Sequence, residues 1–464
     1  MEDSVLLSAT SSIDSILNRI GFGWYQVRVF IHQSWITYSD GAEIMVIALL
    51  TKILQNEWNL SDAEVELMGG ILFFGMILGT FCSGPLGDKY GRRITLLFAT
   101  LTLFLFGFAS ALMPGFWSFV VMRAVVGMSI GFLIPIQTAY EVEVNTEKSR
   151  AGFVIGTFLC FQLGMLSIVL LAFWLIPDLN SGNWRMMVII ASIPSGVSFV
   201  LQLFWMDESP RYLALNQEFE KANLILNKIA RLNKASSLTE EEQVVVKATV
   251  KPEAESVLKR ISRLFSSKYL RVSLQLFYLW FGAGFVYYGL NFILPRTLSS
   301  GSSDSEALVE LAIINTLLIP AAILPCFLIE NPSIGRRKTL LVCLLFQTIG
   351  CVICSFFANQ VVFVSSVSIM LFLDLVYFDV IYPYTSEVYD TSIRSTGLSI
   401  CSAWARFAGF VSPFVLLSLH EIDPTYPYIA FSVTSLVGLI TCYTLKYESR
   451  GQNLDNFIDN SDKI

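Results

Sequence analysis

Between Arg93 and Arg123 no residue carries a charge, and five further uncharged runs follow: Arg150 to Asp178, Arg185 to Asp207, Arg271 to Arg296, Glu310 to Glu330, and Asp423 to Lys446. A helix needs about 20 apolar residues to cross a bilayer. Pro114-Gly115 splits the first run into the end of one span and the start of the next. The stretch from Lys338 to Asp374 is too long for one crossing and divides near Asn359-Gln360. Charged spans near Ile31–Leu54 and Val361–Tyr384, together with Glu64–Gly84 and Ser395–Leu419, bring the expected total to twelve. Backbone polar groups must be satisfied internally in lipid, so the spans are expected as helices.

Composition agrees. Of 464 residues, 54% are apolar and 15% charged, where soluble domains are about a quarter charged. A disordered chain, a secreted disulfide scaffold and an ordinary soluble enzyme are excluded. The net charge of -6 argues against nucleic acid, which needs a basic face. All eight cysteines fall in apolar stretches, so packing is expected of them, including the Cys351/Cys354 pair. No nucleophile–base pair, metal cluster or P-loop is visible, and neither an enzyme nor a cofactor is expected.

The one large polar insertion, about Met206–Leu270, contains EFEKANLILNKIARL with apolar residues at three- and four-residue steps, the pattern of an amphipathic helix. The expected plan is an all-α integral membrane protein: a tail 1–26, a six-helix bundle 27–206, a helical insert 207–270, a second six-helix bundle 271–446 and a tail 447–464. Lys52, Arg185 and Arg296 fall on one side, and Arg123 and Arg406 lie within spans. The remaining 26 of 31 Lys and Arg fall on the side of the insert and tails. The positive-inside rule then places both termini in the cytoplasm. The acidic start MEDSVLLSAT is unlike a signal peptide. Asn59-Leu60-Ser61 is a glycosylation sequon on the outer side.

The halves repeat each other. Gly87-Asp88-Lys89-Tyr90-Gly91-Arg92-Arg93 follows span two, and Ile334-Gly335-Arg336-Arg337-Lys338 follows span eight. Glu143 and Arg150 after span four match Glu387 and Arg394 after span ten. Asp207-Glu208-Ser209-Pro210-Arg211 ends span six, and Tyr447-Glu448-Ser449-Arg450-Gly451 ends span twelve. Motifs recurring in register point to a duplicated bundle.

On these residues the chain resembles the major facilitator superfamily along essentially its whole length. GDKYGRR is similar to its loop signature and DESPRYL to the PESPR motif of its sugar and organic-ion branches. SDGAEIM, WFGAGFVYYGLNFIL and YTSEVYDTSIRSTGLSICSAWARFAGFVSPF resemble the synaptic-vesicle-protein-related and organic-ion transporters. Pro332 stands where the first half has Asp88, and Asp390 where the family has Pro. The resemblance implies the major facilitator fold and a carrier of a small molecule. It also implies a cytoplasmic gate of Gly87, Asp88, Gly91, Arg92, Arg93, Glu143, Arg150, Glu208, Arg211, Gly335, Arg336, Arg337, Glu387 and Arg394, which holds the outward-open state and separates when the inside opens.

Charges at membrane depth mark candidate substrate or coupling sites. Asp40 and Glu43 lie one turn apart in span one, an arrangement suited to proton coupling. Arg406 in span eleven keeps its charge and needs an anionic partner: a substrate, or one of Asp40, Glu43, Asp374 and Asp379. The resemblance makes this position a charge selector, favouring an organic anion such as an aromatic carboxylate. Asp374 and Asp379 in span ten point to different sides, and Pro383 frees the carbonyl of Asp379. Arg123, Gly127, Gly131 and Pro135 form a stripe on span four, open to a gating or a packing role. Trp280, Phe285, Tyr287, Tyr288, Tyr382 and Trp404 are candidate cavity aromatics. The expected function is secondary transport of a small organic ion, with protons as a candidate partner and a monomer as the expected state. A sugar carrier, which the paired Gln absent from span seven disfavours, and a non-transporting membrane receptor are the alternatives. The plasma membrane and an internal vesicle both remain open as the location.

Overall fold

The structure, a computed structural model, describes residues 13–178, 181–240, 242, 257–301, 303–329, 335–356, 359–390 and 393–445. The 332, 334 and 447–451 motif positions lie outside them.

Twelve long helices carry the described chain. Spans one to six are Trp24–Trp58, Asp62–Tyr90, Arg92–Ser110, Phe116–Val144, Glu147–Leu175 and Trp184–Trp205. Spans seven to twelve are Leu270–Gly301, Asp304–Ile329, Gly335–Phe356, Gln360–Val388, Arg394–Ile422 and Tyr426–Tyr443. Eleven are long and apolar enough to cross a membrane, and span one is the exception. Its 35 residues include Gln26, Gln33, Asp40 and Glu43, all buried, so its polar groups face protein rather than lipid. Between spans six and seven lie the insert helices Pro210–Leu215, Phe219–Leu232 and Val257–Leu264.

Local chemistry sets the helix ends. Ser61 and Glu64 cap span two reciprocally, with Glu64 Oε2 accepting from Ser61 N at 2.9 Å, a capping box. Asn183 caps span six. In the insert, Ser209 accepts from Tyr212 N at 3.2 Å and Pro210 occupies the first helical turn. The SPR triplet is therefore a helix start.

Packing repeats with the sequence. In the first bundle, span one packs on five and six, two on four, and three on four and six. In the second, seven packs on eleven, eight on ten, and nine on ten and twelve. The bundles meet through two against eleven and five against eight, pairs that exchange under the same six-span shift.

Spans two and four approach backbone to backbone. A Cβ on Gly127 would lie 1.9 Å from Leu72 O, and one on Gly131 2.0 Å from Met76 O. Gly127 and Gly131 of the span-four stripe thus form a packing seam with span two, as small residues allow. Gly127→Val should lower stability by about 1–3 kcal/mol or more, because neither backbone can retreat. Thermal unfolding of the detergent-solubilised protein checks this, and an unchanged Tm would refute the seam.

Residues 13–20, read above as tail, form a helix whose Ile13, Ile16, Leu17 and Ile20 are buried in one apolar cluster that also holds Leu226 and Ile229 of the insert.

Candidate functional site between the bundles

Mid-depth, where the bundles meet, the structure gathers charged and aromatic side chains from both. Asp40 of span one lies within electrostatic reach of Arg406 of span eleven and of Glu43. Arg406 is 5% exposed. Its Nη1 donates to the Ser402 carbonyl at 3.0 Å and to the Ser402 hydroxyl. Arg406 Nε and Asp40 Oδ1 are buried without a hydrogen-bond partner. Opposite charges on opposite bundles, each with unused hydrogen-bonding capacity, can accept a ligand between them.

Aromatic rings wall this place. Tyr288 lies within reach of Arg406 and Asp40 and stands 4.5 Å from the ring of Phe73 in the first bundle. Tyr382 contacts Trp280 at 4.5 Å and Phe158 of span five at 6.1 Å. Gln162 of span five donates to the Tyr287 hydroxyl at 2.9 Å. Asp379 is half-buried and within electrostatic reach of Tyr287.

Other candidates stand elsewhere. Glu43 lies within electrostatic reach of Asp40 but is itself held by Arg123 in an ion pair whose side chains are 0% and 1% exposed. Asp374 accepts from Gln347 Nε2 at 2.6 Å inside the second bundle. Phe285 packs on Phe281 and Phe431. Trp404 is 39% exposed and stacks on Phe277 at 6.0 Å. It is a surface aromatic of span eleven, two residues and about 200° from Arg406 by helical geometry.

The two ends of the molecule differ. On the side away from the insert, hydrogen bonds join the bundles: Arg296 to Gln55 at 2.6 Å, Ser418 to Glu66 at 3.0 Å and Lys52 to Ser299 at 3.3 Å. A Cβ on Gly69 would strike Phe292, and one on Gly70 the Phe410 carbonyl. Toward the insert the same face of span two opens. Phe81 is 60% exposed, and a Cβ on Gly84 would meet nothing within 4 Å. Ser399, on the Phe410 face of span eleven, is exposed too. The bundles are closed together at the far end and spread at the insert end.

The charged motifs serve each bundle internally. Arg92 pairs with Glu143 at 3.1 Å and Asp88 at 3.2 Å, and Arg336 pairs with Glu387 at 2.7 Å in the equivalent place. Glu208 accepts from the backbone N–H groups of Arg92 at 2.8 Å and Arg93 at 3.2 Å, an anion at a helix N-terminus. Burial lifts the Glu208 carboxyl above its ordinary range, while those N–H bonds and that of Ser209 pull it down. Gly91 has φ +88° and no room for a Cβ, which would sit 2.3 Å from Glu208 Oε2. Glycine is required there on both counts. Gly335 has φ +72° at the matching position, whereas Gly87 only brings span two against Ile136. Arg93 Nη2 donates to Leu203 O, and Arg337 Nη2 to Tyr443 O. Arg394 Nε and Nη2 are buried without a partner.

Two residues escaped the sequence reading. Asp14 receives both Arg150 and Arg211; it lies in a segment too short to show a period. Glu141 is buried in span four, two residues before Glu143, and was hidden beside the motif carboxylate.

The sequence pattern described as "Sugar (and other) transporter" matches residues 26–459. The Synaptic vesicle 2-related protein of Xenopus laevis is 26% identical over 470 residues, covering 96% of this chain and 82% of that protein. Organic cation/carnitine transporter 7 of Arabidopsis thaliana is 27% identical over 492 residues, covering 97% of each. Among solved structures, the inward open conformation of the xylose transporter XylE from E. coli superposes with a TM-score of 0.75 at 18% identity, covering 93% of this chain and 98% of that one. The proton:xylose symporter XylE bound to 6-bromo-6-deoxy-D-glucose gives 0.70 at 20% identity, covering 94% and 98%.

Proposed function

The chain belongs to the Sugar (and other) transporter family and is a multi-pass membrane transporter of the major facilitator superfamily, not an enzyme; from that premise we propose that it carries a small organic ion, an anion whose carboxylate meets Arg406. The carrying observation is the Asp40–Arg406 juxtaposition between the bundles, with a donor and an acceptor atom unused. A carboxylate entering there gains charge-assisted hydrogen bonds from the guanidinium. Tyr288 and Tyr382 offer faces for a flat ring. Bundles that rock about such a site expose it alternately to either side.

The insert side is the cytoplasm on the Lys and Arg distribution, so the spread end is the inward opening. In the spread arrangement the charged motifs pair within each bundle and hold it rigid as it rocks. Proton coupling would use Asp40, whose charge is balanced by Arg406 only until a substrate carboxylate competes for the guanidinium.

A sugar is the second reading. Gln162 and Asn291 stand beside Tyr287 and are neutral donors and acceptors of the kind a polyol needs. Proteoliposomes offered labelled organic acids and labelled sugars, with and without a pH gradient, separate the readings. An acid should accumulate, and the gradient should increase its accumulation. Sugar accumulation alone would replace it with the second reading, and binding without accumulation would indicate a receptor.

A further inference from the structure

Glu141 is a buried carboxyl that the central site does not use. It lies in span four at 1% exposure, in the corner between spans one, four and five. Its Oε1 accepts from Gln137 Nε2 at 2.9 Å and its Oε2 from Thr157 Oγ1 at 3.4 Å. The same Gln137 nitrogen reaches Thr37 Oγ1 at 2.8 Å, and Thr37 stands one turn before Asp40 on span one. Gln33, a turn earlier, is fully buried with both side-chain amide atoms unpartnered. A polar track thus runs from Glu141 toward the central site.

The charged groups on the packed elements are otherwise engaged. Arg123 of span four holds Glu43. Arg92 of span three holds Glu143, and Arg150 of span five holds Asp14. On span one, Arg28 lies over Trp205, and His32 is buried within electrostatic reach of Arg28. Cys160 of span five is within reach of Glu141. Among the described residues no cation pairs with Glu141. An unpaired charge at this depth is costly, so a proton is the natural ligand. The neighbours can serve both forms: Gln137 donates to either, while Thr157 can donate to the carboxylate or accept from the acid. An alkali ion fits less well, because Gln137 points a donor at the carboxylate.

We propose that Glu141 is a second proton-binding site, distinct from the central Asp40–Arg406 site, which takes a proton from water on the insert side onto a carboxylate oxygen and returns it during the transport cycle. Its significance rests on the transporter reading, but its test does not require a substrate. Infrared difference spectra of the full-length protein in proteoliposomes, recorded from about pH 5 to about pH 9, the range separating an ordinary Glu from a deeply buried one, follow the protonated-carboxyl C=O band with protons as the only probe. The wild-type band should fall as pH rises. Glu141→Gln should remove a single carboxyl's share of the change, whereas Asp40→Asn should leave that share in place. Glu141→Asp keeps a titrating group if the Gln variant fails to fold, and Thr157→Val should shift its midpoint. A Glu141→Gln protein that folds and keeps the full titrating intensity would overturn the proposal, as would a wild-type band constant across the range.

Discussion

Arg406→Ala should abolish accumulation of any organic acid that the parent protein concentrates in proteoliposomes. The guanidinium is anchored through Nη1 on Ser402, leaving Nε unbonded toward the site that Asp40 and Tyr288 border. Removing one partner of a desolvated charge pair costs about 3–5 kcal/mol. At 1.4 kcal/mol per tenfold, uptake should fall by roughly two to three and a half orders of magnitude. Arg406→Lys keeps the charge but loses the planar fork, so it should retain a fraction of the activity. Initial rates over a range of acid concentrations make the check. Parent-like uptake by Arg406→Ala would remove the guanidinium from the binding site.

The second large effect concerns stability. Arg123 and Glu43 form an ion pair closed off from solvent, with Arg123 also 5.1 Å from the centre of the Phe119 ring. Their burial was not obtained cheaply, since both charges left water. Arg123→Ala strands the Glu43 carboxyl in the first bundle and should destabilise it by about 3–5 kcal/mol. Replacing both, as Arg123→Met with Glu43→Leu, removes the stranded charge and should recover most of that loss. Thermal unfolding of the four proteins of this cycle, including Glu43→Leu alone, reports the coupling. Additive losses, with no recovery in the double variant, would show that the pair contributes nothing as a pair.

Most of the architecture could be read from residues because lipid imposes a simple rule. Uncharged runs of the right length have to be helices, and six charged motifs in register give the duplication. Those motifs then appear as Arg92–Glu143 and Arg336–Glu387, equivalent pairs in equivalent places. With the insert end spread, each motif pairs inside its own bundle, and the residues of the other bundle it would meet on closing are not legible, because spacing along a helix fixes a face but not the helix opposite. The same gap explains Glu43, whose neighbour in sequence is Asp40 but whose partner in space is Arg123, 80 residues away. Trp404 and Arg406 show the limit at single-residue scale: two positions along one helix separate an exposed ring from a buried cation. Asp14 could not be foreseen, since its role depends on residues 13–20 docking on the insert.

In the proposed mechanism the two bundles rock about the Asp40–Arg406 site. Spin labels placed as one pair at positions 84 and 399, at the spread end, and as another at exposed positions 56 and 305, at the closed end, measure it by pulsed electron resonance distances. On adding the transported acid, the first distance should shorten in part of the population while the second lengthens in the same proportion. Both distances staying fixed, or both shortening together, would contradict rocking.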